Sequence, residues 1–387
     1  MTDCVVDSLI SRTQLQPRPY QKRIVSKTLR MFDGSYVNQD GKTEAAARAV
    51  MIESPTGSGK TSIGLLACKG LQEANPDLHV GWVAMRRTLL GQAASENVAK
   101  GIRVDNISYI SMFEHEPERI LQAKAAGKPI LLVVDEAQHD CASSMTHLHN
   151  ILEPRFVIGL TATPFRTDKM KLCFDKVIKD AGIHALIQDG YLSKFDHFTI
   201  DEWSPEAVCE RYSAEPDRWG KSIFYFKDTS LCFRLQDLLK VNGHESEVVT
   251  GSSDCDTQLA RFRSGEVKCL INCMKLTEGF DEPSLRTAWV RDSGKGCTMQ
   301  MGGRAFRLHP DLPKKNIVQS KNTKWPFIKT AMPIYQYVWQ NGDWTSLTLN
   351  PKINEINRNT RIAISMTEVE MPKFITARMR KVNKIKF

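Results

Sequence analysis

An α/β fold built from two successive parallel sheets is what this 387-residue sequence predicts. Three observations carry that expectation. Short apolar runs of strand length recur along the chain and alternate with helical patterns. A glycine-rich turn follows the first of these runs and opens a helix. The alternation pauses over residues 166–195 and then restarts, so the chain holds two such series.

The elements follow in order. Residues 1–48 read as a lead-in, with a helix over 22–29 that carries Ile24, Val25 and Leu29. Asp33-Gly34 and Asp40-Gly41 are turn signals. Residues 49–52 form an apolar strand, residues 54–61 the glycine-rich turn, and residues 62–67 the first turns of a helix. Strands follow at 80–85, 130–134 and 156–160; the second is apolar throughout, as a parallel strand covered on both faces should be. The second series has strands at 222–226, 247–250 and 268–272, with helices at 230–241 and 256–262 between them. Residues 335–339 and 344–348, separated by Asn341-Gly342, read as a β-hairpin.

Composition excludes several classes. Apolar residues make up 41% and charged residues 25%, the balance of an ordinary globular protein. No apolar run is long enough to span a bilayer, and Met1-Thr2-Asp3-Cys4 has no signal-peptide character. The expectation is a cytoplasmic protein, of a bacterium or a phage-infected host. Ten cysteines without a C-x-x-C pair read as reduced thiols rather than a metal site. The net charge of +9 is moderate. Lys373, Arg378, Arg380, Lys381, Lys384 and Lys386 lie in a tail with no acidic residue. Such a tail is either a solvated end or an arm that binds phosphates.

The chemistry starts at Ser54-Pro55-Thr56-Gly57-Ser58-Gly59-Lys60-Thr61. A strand, a glycine-rich turn and a helix N-terminus make a phosphate cradle, because backbone N–H groups and the helix end both favour anions. Thr56, Gly57, Ser58 and Gly59 would wrap the phosphates, Lys60 would reach the β- and γ-phosphates, and the Thr61 hydroxyl would ligate Mg²⁺. Ser54 stands where the strict pattern has glycine. Asp135 and Glu136 end the strand from 130, at the strand end where open α/β sheets bind ligands. Asp135 can hold Mg²⁺ and Glu136 can polarise an attacking water.

With these two features, an ordered set of segments resembles the motifs of superfamily 2 helicases. Arg18-Pro19-Tyr20-Gln21 resembles the adenine-reading Q-type motif, residues 54–61 motif I, and residues 85–92 motif Ia. Residues 107–111 are similar to motif Ib, Asp135-Glu136-Ala137-Gln138-His139 to motif II, and Thr161-Ala162-Thr163-Pro164 to motif III. Phe224-Tyr225-Phe226 resembles motif IV, residues 276–281 motif V, and residues 300–307 motif VI. The likeness is greatest to the type III restriction helicase subunits, RadD and XPB-like helicases, whose inter-domain signature resembles residues 185–192. Met301 and Gly302 depart from motif VI, and Gln138 stands where DEAD-box proteins carry a second Asp, which argues against the DEAD-box RNA helicase branch.

The resemblance implies two tandem RecA-like parallel-sheet domains with ATP in the cleft between them, and a small C-terminal extension with a β-hairpin. The implied spans are 1–168 for the first, 169–195 for a linker, 196–315 for the second and 316–387 for the extension. It also implies roles. Arg304 and Arg307 reach the γ-phosphate from the second lobe, and Gln300 orients water or that phosphate. Gln21 reads adenine, while Arg18 either packs beside the base or is a surface arginine. Gly279 and Asp281 touch the nucleotide. Arg86, Thr88, Ser111 and Thr277 contact a phosphate backbone. His139, Thr161 and Thr163 couple the ATP site to the nucleic-acid face. The cofactors implied are ATP and Mg²⁺. The implied partner is DNA, single-stranded or a branched duplex, with RNA the alternative. The activity is then DNA unwinding or translocation, RNA remodelling, or ATP-gated binding with weak turnover. Tyr335, Tyr337, Trp339 and Trp344 in the hairpin either stack bases or form a small core.

Overall fold

In the computed structural model, which describes residues 2–139, 143–162, 174–251, 253–273, 276 and 280–347, the two series form two sheets. The first sheet holds β1 (Ala49–Glu53), β2 (His79–Ala84), β3 (Ile107–Ser111), β4 (Ile130–Asp135), β5 (Phe156–Thr161) and β6 (Lys176–Lys179). Its order is β3-β2-β4-β5-β1-β6, and every pair is parallel. Strand periodicity explains its apolar runs. Val50, Ile52, Leu131 and Val133 pack into one core layer, while Met51, Leu132 and Val134 pack into another on the opposite face.

The second sheet holds β7 (Lys194–Ile200), β8 (Ser222–Tyr225), β9 (Ser246–Val249), β10 (Cys269–Asn272), β11 (Thr287–Trp289), β12 (Lys314–Ser320), β13 (Gln336–Gln340) and β14 (Asp343–Ser346). Its order is β14-β13-β7-β12-β11-β8-β10-β9, and only the β13–β14 hairpin is antiparallel. One apolar cluster runs through both lobes: Leu186, Ile187 and Leu192 of the connecting segment join Leu160 of the first sheet to Ile223 and Ile317 of the second. No helix among the described residues is long and apolar enough to cross a membrane.

Four local features differ from the sequence expectation. A helix at Thr2–Ser11 occupies part of the lead-in and packs on the helices Pro19–Asp33 and Lys60–Ala74. The stretch 169–195, expected as linker, contains β6, which adds an edge to the first sheet beside β1. β12 runs across residue 316, the expected start of the extension, and is an interior strand of the second sheet. The hairpin is likewise no separate unit, because β13 pairs in parallel with β7.

Of the two readings of the hairpin aromatics, packing accounts for Tyr337 and Trp344. Tyr337 stacks on Phe198 at 4.8 Å, and Trp344 meets the same ring edge-on at 5.1 Å. The Trp344 indole N–H donates to Glu215 at 2.8 Å, and the Arg211 guanidinium lies 3.8 Å from the centre of the Trp339 ring. The basic residues from Lys373 to Lys386 lie outside the described residues.

β12 also carries an unusual core residue. Lys315 is fully buried, and its Nζ donates to the carbonyls of Pro283 and Leu285 at 2.7 Å each. Burial pulls its pKa down from 10.5 to about 8, against the upward pull of the Glu282 carboxylate. Below about pH 8 both folded and unfolded chains hold this proton. Between about 8 and 10.5 only the unfolded chain does. Stability from this group therefore rises with pH across that window. Wild type should gain melting temperature relative to Lys315→Met as pH rises from 8 to 10, measured by thermal denaturation in matched buffers. A constant difference would refute the depressed pKa.

Candidate active site

The glycine-rich turn leaves β1 at the C-terminal edge of the first sheet. The Ser54 N–H donates to the Thr161 carbonyl at 2.9 Å, which ties the turn to β5. Gly57 and Gly59 have φ of +88° and +79°, in the left-handed region that L side chains resist. A Cβ on Gly59 would also lie 2.5 Å from Gln21 Nε2. The helix Lys60–Ala74 starts directly after Gly59, so its positive end faces the turn. Gly64 lets that helix lie close on the sheet, since a Cβ there would sit 2.8 Å from Leu160 and 2.9 Å from Trp82.

Ser54 is accommodated without a glycine. Its hydroxyl is buried and hydrogen-bonds the Ser58 hydroxyl at 2.7 Å. The Ser58 carbonyl accepts from Tyr20 Oη at 2.6 Å and from Gln21 Nε2 at 2.7 Å. Gln21 Oε1 accepts from the Arg18 N–H at 2.8 Å. Gln21 thus fastens the turn to the helix Pro19–Asp33, leaving one amide N–H and one lone pair for a base. Ser58 itself turns its side chain into the protein. It is fully buried and its N–H donates to the Pro55 carbonyl, so it faces inward rather than toward the cleft.

A cleft of about 310 Å³ opens between the sheets. Thr56, Gly57, Gly59, Lys60, Thr61, Asp135 and Glu136 line it from the first lobe; Phe280, Asp281, Arg304 and Arg307 line it from the second. Arg304 is buried and donates to the Phe280 carbonyl at 2.9 Å. Arg307 Nε donates to Asp281 Oδ1 at 2.6 Å, and its guanidinium would lie 3.2 Å from a Cβ on Gly57. A Cβ on Gly303 would stand 3.4 Å from the Thr56 side chain, and one on Gly302 would collide with the Phe327 ring. The motif VI departure at Gly302 therefore has a packing cause. Burial in the cleft pulls the Lys60 pKa down, Glu136 and Asp135 pull it up, and Arg304 and Arg307 press it down again.

The acidic pair is held from behind. Asp135 Oδ1 accepts the Glu136 N–H at 3.0 Å, and Glu136 takes φ of +55°, a strained value for a non-glycine residue. Gln138 Nε2 donates to Glu136 Oε2 at 3.1 Å, and Thr161 Oγ1 donates to Gln138 Oε1 at 2.6 Å. Sequence reasoning used Gln138 only to set aside one helicase branch and missed this position between Thr161 and Glu136. It also missed Glu96 and Lys100, which line the far end of the cleft with Leu15 and Pro17 and bond with the Ser62 hydroxyl.

The remaining expected residues divide. Arg18 lines the cleft, bonds Tyr20 Oη at 3.2 Å and lies 5.1 Å from the centre of the Tyr191 ring. Gln300 is half-buried on the helix Lys295–Gly303 and does not line the cleft; the chain reaches the nucleotide loop only from Gly303 onward. Arg86 precedes the helix Arg87–Ala99, and Thr88 is exposed in its first turn. Ser111 ends β3, paired with Ala84 of β2, so these three residues share one edge of the sheet. A second groove there, of about 430 Å³, is lined by Arg87, Tyr109, Ser111 and Glu114 among others. His139 closes a short 3₁₀ turn, and its side chain lies outside the described residues, as do Thr163, Thr277 and Gly279.

Against known proteins, residues 14–101 match the family described as type III restriction enzyme, res subunit. The chain is 26% identical over 356 residues to a putative mitochondrial ATP-dependent helicase, irc3, of Schizosaccharomyces pombe, covering 78% of this chain and 57% of that one. Two solved structures share the fold. The ATP-dependent type ISP restriction-modification enzyme LlaBIII bound to DNA gives a TM-score of 0.55 at 14% identity, covering 85% of this chain and 28% of that one. Dbp5 of S. cerevisiae bound to RNA and ADP BeF3 gives 0.54 at 15% identity, covering 92% and 98%. The two sheets are thus the two RecA-like domains of such helicases.

The Gly302 contact is directly testable. Gly302→Ala should destabilise the protein by about 1–3 kcal/mol through overpacking against Phe327. A urea midpoint equal to wild type would show that the ring yields freely.

Proposed function

We infer that this superfamily 2 helicase-type chain is a nucleic-acid-dependent ATPase that moves along DNA or unwinds it. One observation carries the reading: Arg304 and Arg307 of the second lobe line the same cleft as Lys60 of the first. Three cations converging from two bodies fit a triphosphate, whose charge concentrates at its free end.

In this reading Lys60 and the backbone N–H groups around Gly57 and Gly59 hold the β- and γ-phosphates. The Glu136 carboxylate takes a proton from the attacking water, and Gln138 keeps that carboxylate aimed. Arg304 and Arg307 stabilise the charge that develops on the transferred phosphoryl group. Thr61 and Asp135 are hard oxygen donors that both line the cleft, and this donor set suits Mg²⁺. When bound, the ion would neutralise phosphate charge. Gln21 and Arg18 sit where they can meet the base, and Glu96 with Lys100 closes the same end.

Movement follows from the two-body site. A triphosphate draws the lobes together; hydrolysis and release of phosphate remove that attraction. Arg86, Thr88 and Ser111 lie on one edge of the first sheet and are our candidates for gripping a phosphate backbone, with Thr277 as their counterpart in the second lobe. DNA is favoured over RNA by the restriction-enzyme domain match, by the DNA-bound fold neighbour and by Gln138. The RNA-bound neighbour supports the alternative of RNA remodelling. We expect single-stranded or branched DNA to be the preferred form.

Lys60→Ala and Glu136→Gln should each abolish ATP hydrolysis, and Arg304→Ala or Arg307→Ala should slow it by on the order of 10³-fold. Steady-state turnover with and without single-stranded DNA is the measurement. Full turnover in the Lys60 variant would end the reading. Stimulation by RNA above that by DNA of matched sequence would replace DNA with RNA.

A further inference from the structure

We propose that Lys315 is a positioning residue for the second lobe's arginine pair, holding the 280–285 turn from which Arg304 and Arg307 are aimed at the nucleotide. The inference rests on the ATPase reading of the cleft. It concerns a residue that touches neither the cleft nor any group assigned above.

A fully buried lysine is a liability unless its ammonium is well bonded. Here Nζ makes two short bonds, both to backbone carbonyls of the same turn, at Pro283 and Leu285. An apolar side chain of equal length would fill the space and leave those carbonyls without these donors. The turn carries its own brace. Glu282 is buried, and its Oε1 accepts from the Ser284 N–H at 3.0 Å and the Ser284 hydroxyl at 2.5 Å. Lys315 and Glu282 therefore set the turn from two directions.

That turn is the foundation of the arginines. Asp281 accepts from Arg307, and the Phe280 carbonyl accepts from Arg304. Both arginines thus take a bond from residues within three positions of Pro283. They also precede β12, whose second residue is Lys315 itself. The arginine segment is consequently gripped at its downstream end and at its lateral contacts by one side chain. If Lys315 is lost, the turn and the guanidinium groups lose a common reference, while Lys60 and the first-lobe cradle are untouched.

The test is a double-mutant cycle in the full chain, with ATP hydrolysis read in single turnover on saturating oligo(dT). Lys315→Met should lower the hydrolysis rate about tenfold and leave KM for ATP within about twofold, because the first lobe keeps its phosphate contacts. Lys315→Gln, which keeps a donor toward the carbonyls, should recover part of the loss. In an Arg307→Ala background, Lys315→Met should have little further effect on the rate. The same fractional loss in both backgrounds, or a lowered melting temperature with an unchanged rate per folded molecule, would make Lys315 a core residue only and overturn the proposal. Should Lys315→Met fail to fold, Lys315→Gln runs the same cycle with the same deciding outcomes. Absence of ATP hydrolysis in wild type would instead overturn the ATPase reading and this inference with it.

Discussion

Like charges facing each other across a narrow cleft are the constraint on which this structure depends. Lys60 on one lobe confronts Arg304 and Arg307 on the other, and the two arginines press the lysine's pKa down. On Lys60, burial lowers the pKa most, and Glu136 and Asp135 pull it up more strongly than the two arginines press it down, while Asp281 bonds Arg307 on the far side. In the proposed reading, a polyanion between the lobes attracts all three cations at once. The proposed motor then needs the closeness of the lobes to depend on that ligand.

Steric provision matches the electrostatic one. The lobes meet where side chains have been deleted: Gly57 under Arg307 and Leu192, and Gly303 against Thr56. Gly59 clears Gln21, so the turn can be fastened to the helix Pro19–Asp33 without blocking its own cradle. A side chain at Gly57 or Gly59 would strain the turn and crowd Arg307 and Leu192 or Gln21, whereas a Cβ at Gly303 would meet Thr56 at ordinary contact distance. Tyr20, Tyr191 and Arg18 stand at the same junction, with the two tyrosine rings 5.6 Å apart, so the connecting segment senses the turn directly.

What the sequence made legible was local. β1, the phosphate turn and the helix after it are contiguous, and their signals lie within twenty residues of one another. β4 was plain because a strand covered on both faces must be apolar at every position. β6 and β12 were not, for opposite reasons. β6 is four residues, Lys-Val-Ile-Lys, at a sheet edge, which carries little pattern. β12 is an interior strand that reads Lys-Lys-Asn-Ile-Val-Gln-Ser, and its polar residues are tolerated only because distant groups satisfy them. Lys315 looks like any surface lysine until the turn 281 to 285 folds over it. Ser58 and Gln300 were placed by motif position; the fold adds that the Ser58 N–H bonds Pro55 and that Gln300 lies half-buried on the helix Lys295–Gly303. Motif order identifies neighbours in sequence; which way each side chain turns is a tertiary fact.

Thr161 shows how that tertiary layer joins the parts of the site. Its carbonyl accepts the Ser54 N–H at 2.9 Å, at the root of the phosphate turn. Its hydroxyl donates to Gln138, which in turn donates to Glu136. One residue at the end of β5 therefore holds both the cradle and the acid. The strained backbone at Glu136 gives this link something to act on, because a residue held at φ of +55° relaxes when its restraints loosen. A displacement of β5 would shift the carboxylate and the turn together rather than one against the other. Threonine suits this position because its backbone and its hydroxyl supply an acceptor and a donor from one stiff, β-branched side chain. Valine would keep the strand and the Ser54 bond, and it would break the acid from the cradle.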